Sequence, residues 1–264
     1  MKSMSKPTKA YVVYTYLMFF LFIGLIGLVM VVFNYKPLIT ILQTMAAWTP
    51  TFILLLMFKR LYPKDHRLQF VKRQFTQKMN LQVLLLAIVL PLTIFICTLI
   101  FAGFLFKSPV PELITTAPAS LLYMLAFHLT GGALGEELGW RAFLLSEFQS
   151  KHNPIKSGFA VGVIWGFWHL PLWLVSGYGW PELGLYIVSF LVSIICCSIL
   201  IAILYHKCRN LWIAVIVHLL NNYLLGLFTF DVIHSLAIFS VFYIIVTSIF
   251  VLLNRKSLRN NSLA

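Results

Sequence analysis

Charge is what this sequence has least of. Only 10% of its 264 residues are Asp, Glu, Lys or Arg, and just seven are acidic. Soluble domains carry about 25% charged residues, so a soluble globular protein is excluded. Cysteine is nearly as scarce. Cys97, Cys196, Cys197 and Cys208 show neither metal-ligand nor disulfide spacing, and no redox compartment follows from them. There is no internal repeat of about 20–50 residues and no low-complexity stretch beyond a short polar tail at 254–264. A cleavable leader is not evident either: the apolar stretch after the basic start is too long for a signal h-region and reads as a retained span.

What fills the chain is apolar: 61% hydrophobic residues and a mean hydropathy of +0.92. Eight stretches approach the ~20 residues a spanning helix needs, near 11–33, 38–58, 81–106, 118–140, 155–176, 183–205, 211–230 and 234–253. In lipid every backbone group must be satisfied internally, and these stretches are too long for barrel strands, so the spans are helices. The expected fold is an all-α integral membrane protein of about eight transmembrane helices in one bundle. One polytopic domain covers 1–264.

Basic residues set the expected orientation. With the N-terminus in the cytoplasm, 18 of the 20 Lys and Arg fall on the inner side, leaving Lys36 and Lys107 outside. That asymmetry predicts cytoplasmic N- and C-termini. The net charge of +13 then reads as a topology signal and an attraction to membrane lipids with anionic headgroups. The densest basic segment, 59–80, reads as a lipid-facing loop, and no nucleic-acid partner is expected.

Against this background Glu136, Glu137 and Arg141 stand out at the end of an apolar run. Ionised groups at membrane depth are costly, and by default they mark a function. His169, and His218 with Asn222, form two further polar islands. Asn153-Pro154 is a turn signal. If the fourth helix continues, kinked, to about Ser150, Glu136 and His169 lie about 16 positions either side of the turn and face each other at equal height. Glu137 and Arg141 are four residues apart on one face, in the order that favours an ion pair, which leaves Glu136 free. His218 and Asn222 share a face too, at a depth the rise per residue makes somewhat shallower. Gly131, Gly132 and Gly135 permit either close helix packing or a local weakening of the helix.

A carboxylate in a dry pocket can take a proton from water, imidazoles can orient that water or pass the proton on, and an amide can donate to an oxyanion. Those parts fit water-mediated amide hydrolysis without a protein nucleophile; Ser157 and Ser176 lack a motif context.

Three motifs now stand together: Glu136-Glu-x-x-x-Arg141, Trp165-x-x-x-His169 and His218-x-x-x-Asn222. They resemble those of the CPBP (Abi) family, the CAAX-processing and bacteriocin-processing intramembrane endopeptidases. Glu136-Glu-Leu-Gly-Trp-Arg-Ala-Phe-Leu144 is very similar to bacterial members, and the likeness covers about 118–230, the expected catalytic core. The resemblance implies that Glu136 activates water with His169 and His218 assisting, that Asn222 forms the oxyanion site, and that Glu137 and Arg141 support the structure. Trp165 stands where the family usually has Phe, and reads as a pocket wall. The resemblance also implies no cofactor, although Glu136, His169 and His218 would make an alternative ligand set for a metal such as zinc. The expected substrate is a membrane-associated peptide or protein, and the expected location the bacterial cytoplasmic membrane.

Two other classes remain open. A non-catalytic membrane immunity or adaptor protein would not need Glu136. A proton-coupled transporter also uses buried Glu and His, but the repeats and paired broken helices that would support it are not evident. Nothing in the sequence fixes substrate identity or oligomeric state.

Overall fold

The computed structural model describes residues 4–260, so parts of the basic N-terminal segment and of the polar tail lie outside it. Among the described residues the chain is helical. In order the helices are α1 (Lys6–Val32), α2 (Lys36–Ala47), α3 (Thr49–Leu56), α4 (Arg67–Thr76), α5 (Leu81–Phe106), α6 (118–149), α7 (Pro154–Trp168), α8 (Leu170–Leu174), α9 (Glu182–Cys208), α10 (Leu211–Gly226) and α11 (Val232–Asn260).

All eight apolar stretches are helical. Judged by length and composition, four helices can cross a membrane: α1, α5, α9 and α11. The bent pair of α2 and α3 makes a fifth if it is one span. The others are interrupted or, like α10, only 16 residues long. The expected straight span at 38–58 is broken by 54° at Trp48. Pro50 explains this, because its ring clashes with the carbonyl four residues back, that of Ala46. Thr49 Oγ1 donates to that freed carbonyl at 2.9 Å. The 59–80 segment, expected as a loop, contains α4. Phe70 and Gln74, four apart, form its buried face, and Phe70 packs edge-on against Phe58 at 5.4 Å. Arg67, Lys72 and Arg73 stay outside, the pattern of a helix lying at an interface.

The fourth stretch runs on through Gln149, as the hairpin reading required. It is not a uniform α-helix. Leu129–Ala133 and Leu138–Leu145 are π-helical, and Gly131 leaves helical geometry altogether (φ −93°, ψ 16°). Between the two wide segments a single α turn, Leu134–Glu137, carries both carboxylates. Wide turns of this kind recur at functional sites because each one re-aims the side chains beyond it. The turn into α7 is capped by Asn153, whose side chain accepts from the Lys156 amide.

Close approach of backbones fixes α6 and α7. A Cβ on Gly135 would lie 2.6 Å from the Trp48 ring, and one on Gly139 would collide with the Tyr11 hydroxyl and Pro50. Trp48 Nε1 donates to the Thr130 carbonyl at 2.7 Å, inside the first π segment. The break in the α2–α3 span therefore seats against the irregular part of α6. On α7, Gly158, Gly162 and Gly166 form a stripe with four-residue spacing. Each would meet α9 atoms at 2.7–2.9 Å if it carried a Cβ, so the stripe presses α7 against α9 as small residues do in membrane bundles.

The connections gather on two faces. The 107–117 segment pairs with 227–231: the Thr115 amide donates to Leu227 and the Thr229 amide to Leu113. On the opposite side Tyr205 donates to Gln74 at 3.1 Å, and Asn210 Nδ2 to the Gln77 carbonyl at 2.6 Å.

Candidate active site

Glu136 and Glu137 sit side by side and are used in opposite ways. Glu137 and Arg141 are both 0% exposed and paired, Arg141 Nε to Glu137 Oε2, at 2.9 Å. The contact is close without being an aligned hydrogen bond. Arg141 also donates from Nη1 to Ser198 Oγ at 3.3 Å and lies over the Trp165 ring at 4.4 Å. The expected i,i+4 pair is therefore present and clamped on three sides. Removing one partner leaves a buried charge unpaired, which costs about 3–5 kcal/mol. We expect Arg141→Ala to lower the amount of folded protein in the membrane sharply, measured by immunoblot and detergent size-exclusion; accumulation at the wild-type level would contradict this.

Glu136 turns away from that pair, and the Trp165 indole Nε1 donates to its Oε2 at 2.5 Å. The sequence reading made Trp165 a wall only. The structure gives it a hydrogen bond that Phe, the residue usual at this point of the motif, cannot make. It also packs edge-on against His218, ring centroids 4.8 Å apart.

His169 occupies a break that the expected span at 155–176 did not have. Pro171 ends α7 there for the reason Pro50 breaks the second span, and the His169 amide bonds to Gly166 three residues back. The Trp165 carbonyl is thereby freed, and the His169 ring takes it: Nδ1 lies 2.9 Å away. A carbonyl only accepts, so Nδ1 carries a proton, and in the neutral ring Nε2 keeps its lone pair.

His218 obeys the same logic. Its Nδ1 lies 2.8 Å from Glu137 Oε1, a carboxylate paired with Arg141, so Nδ1 is the donor and, in the neutral ring, Nε2 is the acceptor. Asn222 Nδ2 donates to that Nε2 at 3.1 Å. The somewhat shallower depth expected for His218 is thus corrected: α10 brings it level with Glu137. Neither the Glu137–His218 bond nor the matched tautomers could be read from spacing, because they depend on how α6, α7 and α10 are rotated towards one another.

The convergence is sharpest above Gly132. A Cβ placed there would lie 3.4 Å from Asn222 Nδ2 and 3.9 Å from both Glu136 Oε1 and His218 Nε2. Gly132 was read as one of three glycines for packing or weakening, and the structure separates them: Gly135 is a packing contact, Gly131 marks the kink, and Gly132 clears the space where three functional atoms meet. A cavity of about 270 Å3 reaches the same place, with Glu136, His169 and Asn222 in its wall, and passes between α1 and α2. A smaller chamber of about 70 Å3 brings His169, His218 and Asn222 together with Trp165. His128 borders this 270 Å3 cavity and a neighbouring one of about 290 Å3. Among the described residues no three His, Cys, Asp or Glu side chains gather closely enough to hold a metal ion.

Long apolar helices enclose a buried carboxylate–imidazole–amide cluster, the architecture of a multi-pass membrane protein. Residues 117–224 match the family model for Rce1-like type II CAAX prenyl endopeptidases, and every motif residue lies inside that match. A relative, CAAX prenyl protease 2 of Methanococcus maripaludis, is 33% identical over 101 residues, covering 36% of this chain and 37% of the relative. The chain is matched over little more than a third of that relative's length. Both matches are likenesses to CAAX prenyl proteases over part of the chain.

Proposed function

We propose that the chain is an intramembrane endopeptidase that hydrolyses a peptide bond of a membrane-associated peptide or protein, with 118–230 as its catalytic core. The observation that carries this reading is the meeting of Asn222 Nδ2, Glu136 Oε1 and His218 Nε2 within 4 Å of one point above Gly132. Water at that point is deprotonated by Glu136 as its oxygen attacks the substrate carbonyl, guided by His169 Nε2 and by the His218–Asn222 pair. One Asn222 N–H is engaged by His218; the second is free for the oxyanion. The proton taken by Glu136 then passes to the departing nitrogen as the C–N bond breaks, giving a carboxyl and an amine terminus. Glu137, Arg141 and Trp165 hold these groups in place. No cofactor enters the scheme, so cleavage should persist in excess chelator; loss on chelation with recovery on added zinc would contradict that point.

The topology that suits this role has eight crossings, counting the broken ones, and cytoplasmic termini, supported by the 18:2 distribution of basic residues. It places α4 at the anionic inner surface of a bacterial cytoplasmic membrane. Lipidated C-termini of the CAAX type, named in the relative's description, are one substrate class; unlipidated secreted or membrane peptides are the other. Purified protein in liposomes, offered internally quenched peptides of both kinds, tests the reading. Cleavage that disappears in His169→Ala is the expected result. Equal signal from wild type and variant would contradict it.

A further inference from the structure

The third motif stops at Asn222, yet the hydrogen-bonded run does not. Asn222 Oδ1 accepts from Asn221 Nδ2 at 2.8 Å, and Asn221 Oδ1 accepts from the Tyr243 hydroxyl at 2.7 Å. Tyr243 is fully buried on α11 and lies beyond the segment matched by the family model. Five side chains thus form one line from Tyr243 through Asn221, Asn222 and His218 to Glu137.

The direction of every bond in that line is settled at its far end. Glu137 is an acceptor only, so His218 donates from Nδ1, and its neutral ring accepts at Nε2. Asn222 must then present its N–H to His218 and its carbonyl to Asn221. Asn221 in turn must present its N–H to Asn222 and its carbonyl to Tyr243, which has an O–H to give. Turned over, Asn222 would aim its oxygen at the Nε2 lone pair, acceptor against acceptor. Asn221 Nδ2 adds a second hold on Asn222 Oδ1 in the observed orientation, and the Tyr243 hydroxyl holds Asn221 in the matching one.

We propose that Asn221 and Tyr243 are positioning residues: they lock the Asn222 amide with its N–H groups toward the reacting centre. This rests on the endopeptidase reading for its catalytic consequence, though not for its geometry. A helix outside the family-matched core thereby sets the orientation of the oxyanion donor.

The test uses Tyr243→Phe, which removes one oxygen and keeps the ring, and Asn221→Ala. NMR of purified protein with 15N-labelled histidine reads Nε2 of His218 without any substrate, its signal assigned by loss in His218→Gln. We expect the wild-type Nε2 to show an accepted hydrogen bond and both variants to move toward the position seen in Asn222→Ala. With the quenched peptides, kcat should fall about tenfold, equivalent to about 1.4 kcal/mol, while KM changes less than about twofold. An unmoved Nε2 signal in both folded variants overturns the proposal, as does an unchanged kcat. If the signals move but the wild type cleaves nothing, the relay stands and the endopeptidase reading falls.

Discussion

Glu136→Gln should abolish cleavage while leaving the protein intact. General-base catalysis contributes on the order of 10²–10⁴-fold, and here no other carboxylate can take over, because Glu137 is consumed by Arg141 and His218. A fall of about 10³-fold corresponds to about 4 kcal/mol of lost transition-state stabilisation. Glutamine has the same shape, and its oxygen can still accept from the Trp165 indole, so the packing around position 136 is kept. Abundance and melting behaviour in detergent should match the wild type. Turnover within tenfold of wild type would remove Glu136 from the role of base.

Gly132→Ala should be almost as damaging, for a steric reason. The added methyl sits at ordinary contact distance from its neighbours, 3.4 Å at the closest, so the fold tolerates it. It fills the point that the Asn222 amide, the Glu136 carboxylate and His218 Nε2 all face, where the proposed mechanism puts water. Displacing a reacting atom by about 1 Å costs about 10²-fold. A loss of that size or more, in protein that accumulates and melts normally, is the expected outcome, read as kcat on the quenched peptides. Gly135→Ala makes the contrast: it drives a Cβ into Trp48 and should lower abundance. If Gly132→Ala cleaved normally, the point of convergence would not be the place of reaction.

Much of this arrangement was legible in the chain. Apolar length marked the long helices though not α4, Asn153-Pro154 located the turn, and four-residue spacing paired Glu137 with Arg141 and put His218 beside Asn222. Pro50 and Pro171 also announced the two broken spans, since proline removes a donor and repels the carbonyl four residues back. That signal was present and outweighed by the apolar length around it.

Other features had no sequence signal. The π segments of α6 add backbone without any characteristic side chain, and they alter the angle at which Glu136 leaves the helix. The indole bond to Glu136, the Glu137–His218 bond and the clearance above Gly132 each need the mutual rotation of two or three helices. Spacing along one helix does not contain that information. Asn221 and Tyr243 are 22 residues apart on different helices and meet only because α11 folds back along α10.

Peptide-bond hydrolysis by Glu136 in a membrane can be read in living cells. Membranes from cells expressing wild type or Glu136→Gln at matched levels would be compared by proteomics of peptide termini. A terminus that forms only with wild type is the predicted result, and it names the substrate as well. Identical termini in both, alongside a cellular phenotype that survives in Glu136→Gln, would contradict the account and point to a non-catalytic immunity or adaptor role.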